Sequence, residues 1–122
     1  MKKILIIEDD KGVAQLLEEE LTEEGYEVRR AANGRDALAV CKAFVPDLIT
    51  LDLKMPVMDG LEFLEMYRVE HPHTPIVICT AYPEFKQDFK VWASDAYVVK
   101  SGDMSQLKAI IRDLLARSTA PS

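Results

Sequence analysis

The sequence predicts an α/β fold, a doubly wound parallel sheet of five strands with five helices on its two faces. Short apolar runs alternate along the chain with longer segments whose apolar residues recur at helical spacing. Several of these runs lack a regular polar alternation, which is typical of strands buried on both faces of a parallel sheet. Because each parallel crossover returns right-handed to the same sheet, the alternation predicts helices on both faces.

Five segments carry the strand pattern. The first, third and fourth are apolar almost throughout, whereas the second is more polar and suits a sheet edge. The predicted strands cover residues 2–7, 26–31, 48–51, 76–80 and 96–99. For a chain of this length we expect the flavodoxin-like strand order 2-1-3-4-5, in which strands 1 and 3 are neighbours.

Five further segments carry the helical pattern. The first has an apolar stripe and a face rich in glutamate, and Gly25 is a suitable stop for it. Pro83 begins the short fourth segment, in which Phe85, Phe89 and Trp92 share a face. The predicted helices cover residues 11–24, 34–44, 61–70, 83–92 and 104–117.

Length and composition limit the class of protein. The 122 residues fit one domain, expected at 1–118 with a flexible tail at 119–122, and are enough to bury a core without disulfides. A net charge of −6 gives no attraction for nucleic acid or an anionic membrane. No apolar run is long enough to span a membrane, and the acidic residues 8–10 do not fit a signal peptide, so we expect a cytoplasmic protein. Cys41 and Cys79 have no metal-ligand spacing and are interpreted as buried thiols.

Polar residues follow or end four of the five predicted strands. Asp9 and Asp10 follow strand 1, Asp52 follows strand 3, Thr80 ends strand 4 and Lys100 follows strand 5. In an open parallel sheet the carboxyl ends of the strands form the edge where ligands bind. Asp52 alone fits a strand cap as well as a chemical role, but the neighbouring polar strand ends favour the chemical role.

The residue types at this edge indicate a particular chemistry. Three carboxylates in proximity repel one another and favour binding of a cation. Oxygen ligands without Cys or His favour a hard ion, with Mg²⁺ preferred and Mn²⁺ or Ca²⁺ as alternatives. A lysine and a threonine hydroxyl suit a phosphoryl group, so the set supports in-line phosphoryl transfer with Asp52 as nucleophile.

The chain resembles a response-regulator receiver domain of two-component signalling, from residue 2 to about residue 117. The resemblance rests on four segments: Glu8-Asp9-Asp10, Asp52 with residues 55–60, Thr80-Ala81, and Lys100. It implies Mg²⁺-dependent transfer of a phosphoryl group to Asp52 from a histidine kinase, a phosphotransfer protein or acetyl phosphate. It also implies that the chain is not an enzyme beyond its own phosphorylation and dephosphorylation.

The resemblance implies a role for each site residue. Mg²⁺ would be held by Asp9, Asp10, Asp52 and the backbone carbonyl of Lys54, with Glu8 as a neighbour of the site. Two further side chains would bind the phosphoryl oxygens, namely Thr80 and Lys100.

Signalling would follow from movement near the phosphoryl group. The resemblance implies a switch made of Thr80 and Tyr97, although Tyr97 fits a plain core position equally well. The switch would alter the face of the fourth helix, fifth strand and fifth helix, which would contact a downstream protein target or form a homodimer. Lys54 and Tyr82 occupy positions that tune dephosphorylation in the family, and Ser101 stands where receivers usually have a proline.

Three rival functions share features with this sequence. A hydrolase of the haloacid dehalogenase type would need an aspartate at position 54, which is Lys54. A flavodoxin-type electron carrier would need a Ser/Thr-rich phosphate loop in place of the acidic residues 8–10. A receiver-like docking module that is never phosphorylated remains open as an alternative.

Overall fold

A single parallel sheet organises the molecule. The computed structural model describes residues 1–52, 60–80, 94–99 and 104–118. The described strands are β1 (Lys3–Ile7), β2 (Glu27–Ala31), β3 (Leu48–Leu51), β4 (Ile76–Thr80) and β5 (Ala96–Val99). All pairings are parallel and the order is β2-β1-β3-β4-β5, which confirms the predicted fold class and strand order.

Helices pack on both faces of this sheet. The described helices are α1 (Lys11–Glu23), α2 (Gly34–Val40), α3 (Gly60–Glu70) and α4 (Ser105–Ser118). Helix α4 corresponds to the fifth predicted helix, because the predicted fourth helix at 83–92 and the predicted tail at 119–122 lie outside the described residues. None of the helices in the described ranges is long and apolar enough to cross a membrane.

Helices α1 and α2 end in different ways. Helix α1 stops before Gly25, whose φ of 96° lies in the left-handed region that glycine adopts without strain. Helix α2 ends at Val40, four residues before its predicted end. The chain there tightens into turns, in which the amides of Lys42 and Ala43 donate to carbonyls three residues back, at 3.3 and 3.1 Å.

The sheet separates two layers of core. Alternate residues of each strand point to opposite faces, so Leu5 and Ile7 of β1 pack with α2 and α3 while Ile4 and Ile6 pack with α1 and α4. The central strands β1, β3 and β4 are buried along almost their whole length, as the continuous apolar runs predict. The layer against α2 and α3 contains Ile49, Leu51, Phe63, Leu64, Tyr67, Ile76 and Ile78.

Ion pairs tie the first helix to the last on one face. Lys108 Nζ lies 2.5 Å from Glu20 Oε2, and Arg112 Nη2 lies 3.4 Å from Glu24 Oε1. The hydrogen bond to Glu20 raises the pKa of Lys108 above its usual value. Glu20 belongs to the acidic face of α1 and Glu24 follows its last residue, so the acidic surface of this helix is partly paired within the chain.

Neither Cys41 nor Cys79 forms a disulfide, as the spacing predicts. Cys79 is buried, whereas Cys41 is only half-buried because it lies at the end of α2. Burial raises the pKa of the Cys41 thiol, which keeps it in the protonated, less reactive form.

The packing of α3 gives a test of the two-layer core. Phe63 is fully buried and Met66, on the same helix, is half-exposed. We expect Phe63→Ala to lower the free energy of unfolding by about 3–5 kcal/mol, because a large cavity remains. The control Met66→Ala should change it by less than about 1 kcal/mol. Urea denaturation measures both, and equal losses in the two variants would contradict this account of the core.

Candidate functional site

The register of β1 and β3 brings two acidic residues together. Ile7 pairs with Leu51, so Glu8 and Asp52 are the next residues on adjacent strands. The pairing continues one step further, because the amide of Asp52 donates to the carbonyl of Ile7 at 3.0 Å. Glu8 is fixed on its other side, where its amide donates to the carbonyl of Ala31 of β2 at 3.0 Å.

Three carboxylates form a cluster at this edge. One carboxylate oxygen each from Glu8, Asp9 and Asp52 lies within 4.8 Å of the other two. Glu8 is 4% exposed and Asp52 is 6% exposed, whereas Asp9 is open to solvent. Like charges at this separation repel strongly where water is excluded, and a small divalent cation relieves the repulsion. The donor set is all oxygen, which fits Mg²⁺ and other hard cations.

Asp10 occupies a different position from the one predicted for a metal ligand. Its Oδ1 accepts a hydrogen bond from the Val13 amide at 3.1 Å, so Asp10 is the N-cap of α1. Its own amide donates to Glu8 Oε2 at 3.2 Å. Among the described residues, the cluster therefore includes Glu8, which the sequence indicated only as a neighbour of the site, and does not include Asp10.

A signal for Glu8 was present in the sequence. Glu8 is the first residue after β1, as Asp52 is the first after β3, and parallel neighbours at the same step face each other. The residue types alone do not distinguish Glu8 from Asp10, because either one, together with Asp9 and Asp52, gives three carboxylates.

The other predicted site residues are described only in part. Thr80 is the last residue of β4 and is fully buried. Tyr97 of β5 is half-buried and packs against the core layer of α2 and α3. Three of the predicted site residues, Lys54, Tyr82 and Lys100, lie outside the described residues, as does Ser101.

A cavity of about 480 Å³ adjoins the carboxylate cluster between α1 and β2. It is lined by Glu8, Asp9, Lys11, Ala14, Gln15, Arg30, Ala31 and Ala32. Arg30 Nε lies 3.7 Å from Glu18 Oε1 of α1, and Lys11 adds a second positive charge to the lining. The cavity reaches two of the three clustered residues, Glu8 and Asp9, from the side of α1.

Comparison with known proteins assigns the family. The sequence model of the response regulator receiver domain matches residues 4–112. The chain belongs to this family. The resemblance seen in the sequence is thereby confirmed, and the protein is a receiver domain of the two-component response regulators.

Relatives of similar length support the assignment. Sporulation initiation phosphotransferase F of Bacillus subtilis is 35% identical over 116 residues, which cover 93% of this receiver domain and 94% of the relative. Other curated relatives are longer, and this receiver domain spans 25% and 54% of the length of two of them.

Solved structures share the fold closely. The response regulator TrrA from Thermotoga maritima, in complex with Mg²⁺-BeF, has a TM-score of 0.90 and 40% identity. That match covers 93% of this receiver domain and 99% of TrrA. A complex of the histidine kinase ThkA with TrrA gives a TM-score of 0.88 at 41% identity, covering 94% of this receiver domain and 99% of the matched chain.

The third carboxylate beside Asp9 and Asp52 is Glu8 in the structure and Asp10 in the prediction from sequence. The two assignments make opposite predictions for the stability of the metal-free protein. Glu8→Gln removes one of three clustered charges while keeping an oxygen that accepts from the Asp10 amide. We expect it to raise the free energy of unfolding by about 1 kcal/mol at low ionic strength and without divalent ions. The matched variant Asp10→Asn should change stability by less than about 0.5 kcal/mol, because asparagine caps a helix as well as aspartate does.

Urea denaturation in a chelating buffer measures both variants. Stabilisation by Asp10→Asn, together with no effect of Glu8→Gln, would show that Asp10 and not Glu8 contributes to the repulsion.

Proposed function

We propose that this receiver domain accepts a phosphoryl group on Asp52, in a Mg²⁺-dependent transfer from a histidine kinase, a phosphotransfer protein or acetyl phosphate. The observation that carries the proposal is the buried Asp52 carboxylate, held within 4.8 Å of the Glu8 and Asp9 carboxylates at the carboxyl edge of the sheet. A cluster of this kind is costly to a fold unless a cation binds to it.

The residues that would hold Mg²⁺ are Glu8, Asp9 and Asp52. The backbone carbonyl of Lys54 is a further candidate from the family resemblance, and Asp10 is the ligand expected from the sequence. When bound, the ion neutralises negative charge on the carboxylates and on the oxygens of the transferred phosphoryl group. Support comes from TrrA, whose structure contains Mg²⁺-BeF. Mn²⁺ has a similar preference for oxygen ligands and is an alternative.

The transfer is a substitution at phosphorus. A carboxylate oxygen of Asp52 attacks in line, and an O–P bond forms while the bond from phosphorus to the donor breaks. The donor leaves with the bonding electrons, as an imidazole from phosphohistidine or as acetate from acetyl phosphate. Thr80 and Lys100 are the proposed partners of the phosphoryl oxygens. The chain accelerates only this step and the later hydrolysis of its own acyl phosphate, so we do not class it as a conventional enzyme.

The proposed output depends on the new charge. A phosphoryl group adds roughly −1.5 to −2 charge and three acceptor oxygens. The Thr80 hydroxyl, at the end of β4, is the proposed hydrogen-bond donor that moves toward it. The half-buried Tyr97 would then turn inward and alter the surface of β5 and α4, where a downstream protein or a second copy of the chain would bind. Lys54 and Tyr82 are proposed to set the lifetime of the phosphoryl group.

The proposed phosphoryl donor in the cell is a histidine kinase. The support is the structure of TrrA bound to the histidine kinase ThkA, which matches this chain over 94% of its length. A cytoplasmic location is proposed because neither cysteine forms a disulfide, as expected in a reducing compartment.

Mg²⁺ titration tests the proposed ligands. We expect Glu8→Gln to weaken Mg²⁺ binding roughly tenfold or more, because one charged ligand is lost. Asp10→Asn should leave the dissociation constant within about threefold of the wild type, because the cap is preserved. Isothermal titration calorimetry measures both. A larger loss in Asp10→Asn than in Glu8→Gln would restore the ligand set predicted from the sequence.

Intact mass spectrometry after incubation with acetyl phosphate tests the function itself. We expect one phosphoryl adduct on the wild type when Mg²⁺ is present and none when it is chelated, because the carboxylate cluster otherwise repels the anionic donor. Asp52→Asn should abolish the adduct. The control Asp113→Asn, on the exposed face of α4, should retain it.

The absence of an adduct on the folded wild type under every condition would contradict the proposal. It would favour the alternative, a docking module that keeps the receiver fold without being phosphorylated.

A further inference from the structure

Arg68 joins the end of α3 to the beginnings of two strands, at the edge of the sheet opposite the carboxylate cluster. Its Nη1 donates to the carbonyl oxygens of His71, Pro72 and Thr74, at 3.1, 3.2 and 2.6 Å. Its Nη2 donates to Asp95 Oδ2 at 3.0 Å. The Arg68 side chain is only 19% exposed, and its planar fork suits several acceptors at once.

Asp95 extends these contacts to the first residue of β4. Its Oδ2 also accepts a hydrogen bond from the Ile76 amide at 2.8 Å. Its own amide donates to the Ile76 carbonyl, again at 2.8 Å. Arg68, Asp95 and Ile76 together form a unit that we name the β4–β5 clamp, which fixes the residue before β5 beside the first residue of β4.

Strand β5 is less buried than β1, β3 and β4, so polar contacts matter more for its register. It is a four-residue edge strand in which only Val98 is buried, while Ala96 and Tyr97 are half-buried and Val99 is 41% exposed. A shift of two residues would keep every side chain on the same face of the sheet, so the alternation of faces does not oppose it. The polar contacts of the clamp are specific for one register.

The register of β5 matters at the other end of the sheet. In the observed pairing Thr80 lies opposite Val99, and Lys100 is the next residue in the sequence. Each strand residue advances the chain by about 3.3 Å, so a two-residue shift would displace Val99, the residue before Lys100, by about 7 Å relative to Thr80.

We propose that Arg68 and Asp95 are positioning residues for phosphoryl transfer, because the β4–β5 clamp sets the register in which Val99, the residue before Lys100 in the sequence, lies opposite Thr80. This inference rests on the proposed function, in which the Thr80 and Lys100 side chains bind the phosphoryl oxygens. The clamp contacts the end of α3 and the beginnings of β4 and β5, whereas the carboxylate cluster belongs to the ends of β1 and β3. Loss of the clamp therefore weakens phosphoryl binding and leaves metal binding intact.

The chain offers a matched control at the same edge. Asp47 precedes β3 as Asp95 precedes β5, and its Oδ2 and amide make the same pair of hydrogen bonds to Lys3 of β1, both at 2.7 Å. Strands β1 and β3 are buried along nearly their whole length, so their register does not depend on this contact. Asp47→Ala removes the equivalent side-chain hydrogen bond, from the Lys3 amide to Asp47 Oδ2, without acting on β5.

The test separates metal binding from phosphoryl binding. Calorimetry gives the dissociation constant for Mg²⁺ alone, and titration with beryllofluoride at saturating Mg²⁺, followed by amide NMR, gives the affinity for a tetrahedral phosphoryl mimic. We expect Arg68→Gln and Asp95→Ala to weaken beryllofluoride binding roughly tenfold or more, with Mg²⁺ binding within about twofold of the wild type. Asp47→Ala should leave both affinities within about twofold.

Two milder variants cover the case in which these variants do not fold. Arg68→Lys keeps the charge without the fork, and Asp95→Asn keeps an acceptor for the Ile76 amide without the charge. Both should weaken beryllofluoride binding by a smaller factor and leave Mg²⁺ binding unchanged.

Three outcomes would count against the inference. Equal weakening of Mg²⁺ and beryllofluoride binding in the clamp variants would show a general loss of stability. A selective loss of beryllofluoride binding in Asp47→Ala would show that the effect does not depend on the register of β5. Unchanged beryllofluoride binding in the clamp variants would overturn the positioning role alone. A folded wild type that binds no beryllofluoride at saturating Mg²⁺ would instead overturn the proposed function, and the inference with it.

Discussion

The parallel pairing of β1 with β3 is the constraint on which the candidate site depends. Both strands are buried on their two faces, so a slip of one residue would bring apolar side chains into contact with the wrong layer of core. The fixed register makes Glu8 and Asp52 neighbours at the edge of the sheet. The core thus holds together two charges that would separate in a free chain.

The electrostatic cost of this arrangement is concentrated where the chemistry is proposed. Glu8 and Asp52 are nearly inaccessible to water, and water is the medium that would best screen their repulsion. The structure compensates in part through backbone hydrogen bonds, such as the one from the Asp10 amide to Glu8. Acidic groups buried in this way do not stabilise the fold. Such an arrangement is typical of a site that binds a ligand.

The sequence was sufficient for the fold and for part of the site. Continuous apolar runs identified strands 1, 3 and 4, because burial on both faces leaves such a pattern, and a more polar segment identified strand 2 at the sheet edge. The alternation of strands with helices and the length of the chain predicted the observed strand order. The sequence also placed Asp52 and Thr80 at strand ends. It could not show which of three consecutive acidic residues joins Asp52, because that depends on the β1–β3 register and on the competing use of Asp10 as a helix cap. The early end of α2 was missed for a similar reason, since the choice between another helical turn and a tight turn depends on tertiary contacts.

The hydrogen bonds of Asp47 and Asp95 give the two edges of the sheet different resistance to local opening. At the amino edge each aspartate links a pair of strands with one hydrogen bond donated by its amide and one accepted by its carboxylate. At the carboxyl edge the neighbouring strands β1 and β3 lead into three clustered carboxylates. Repulsion among these carboxylates lowers the free energy needed to separate the strand ends. A ligand that neutralises the cluster raises the free energy of local opening. The strand ends around the site are therefore more rigid when the ligand is bound.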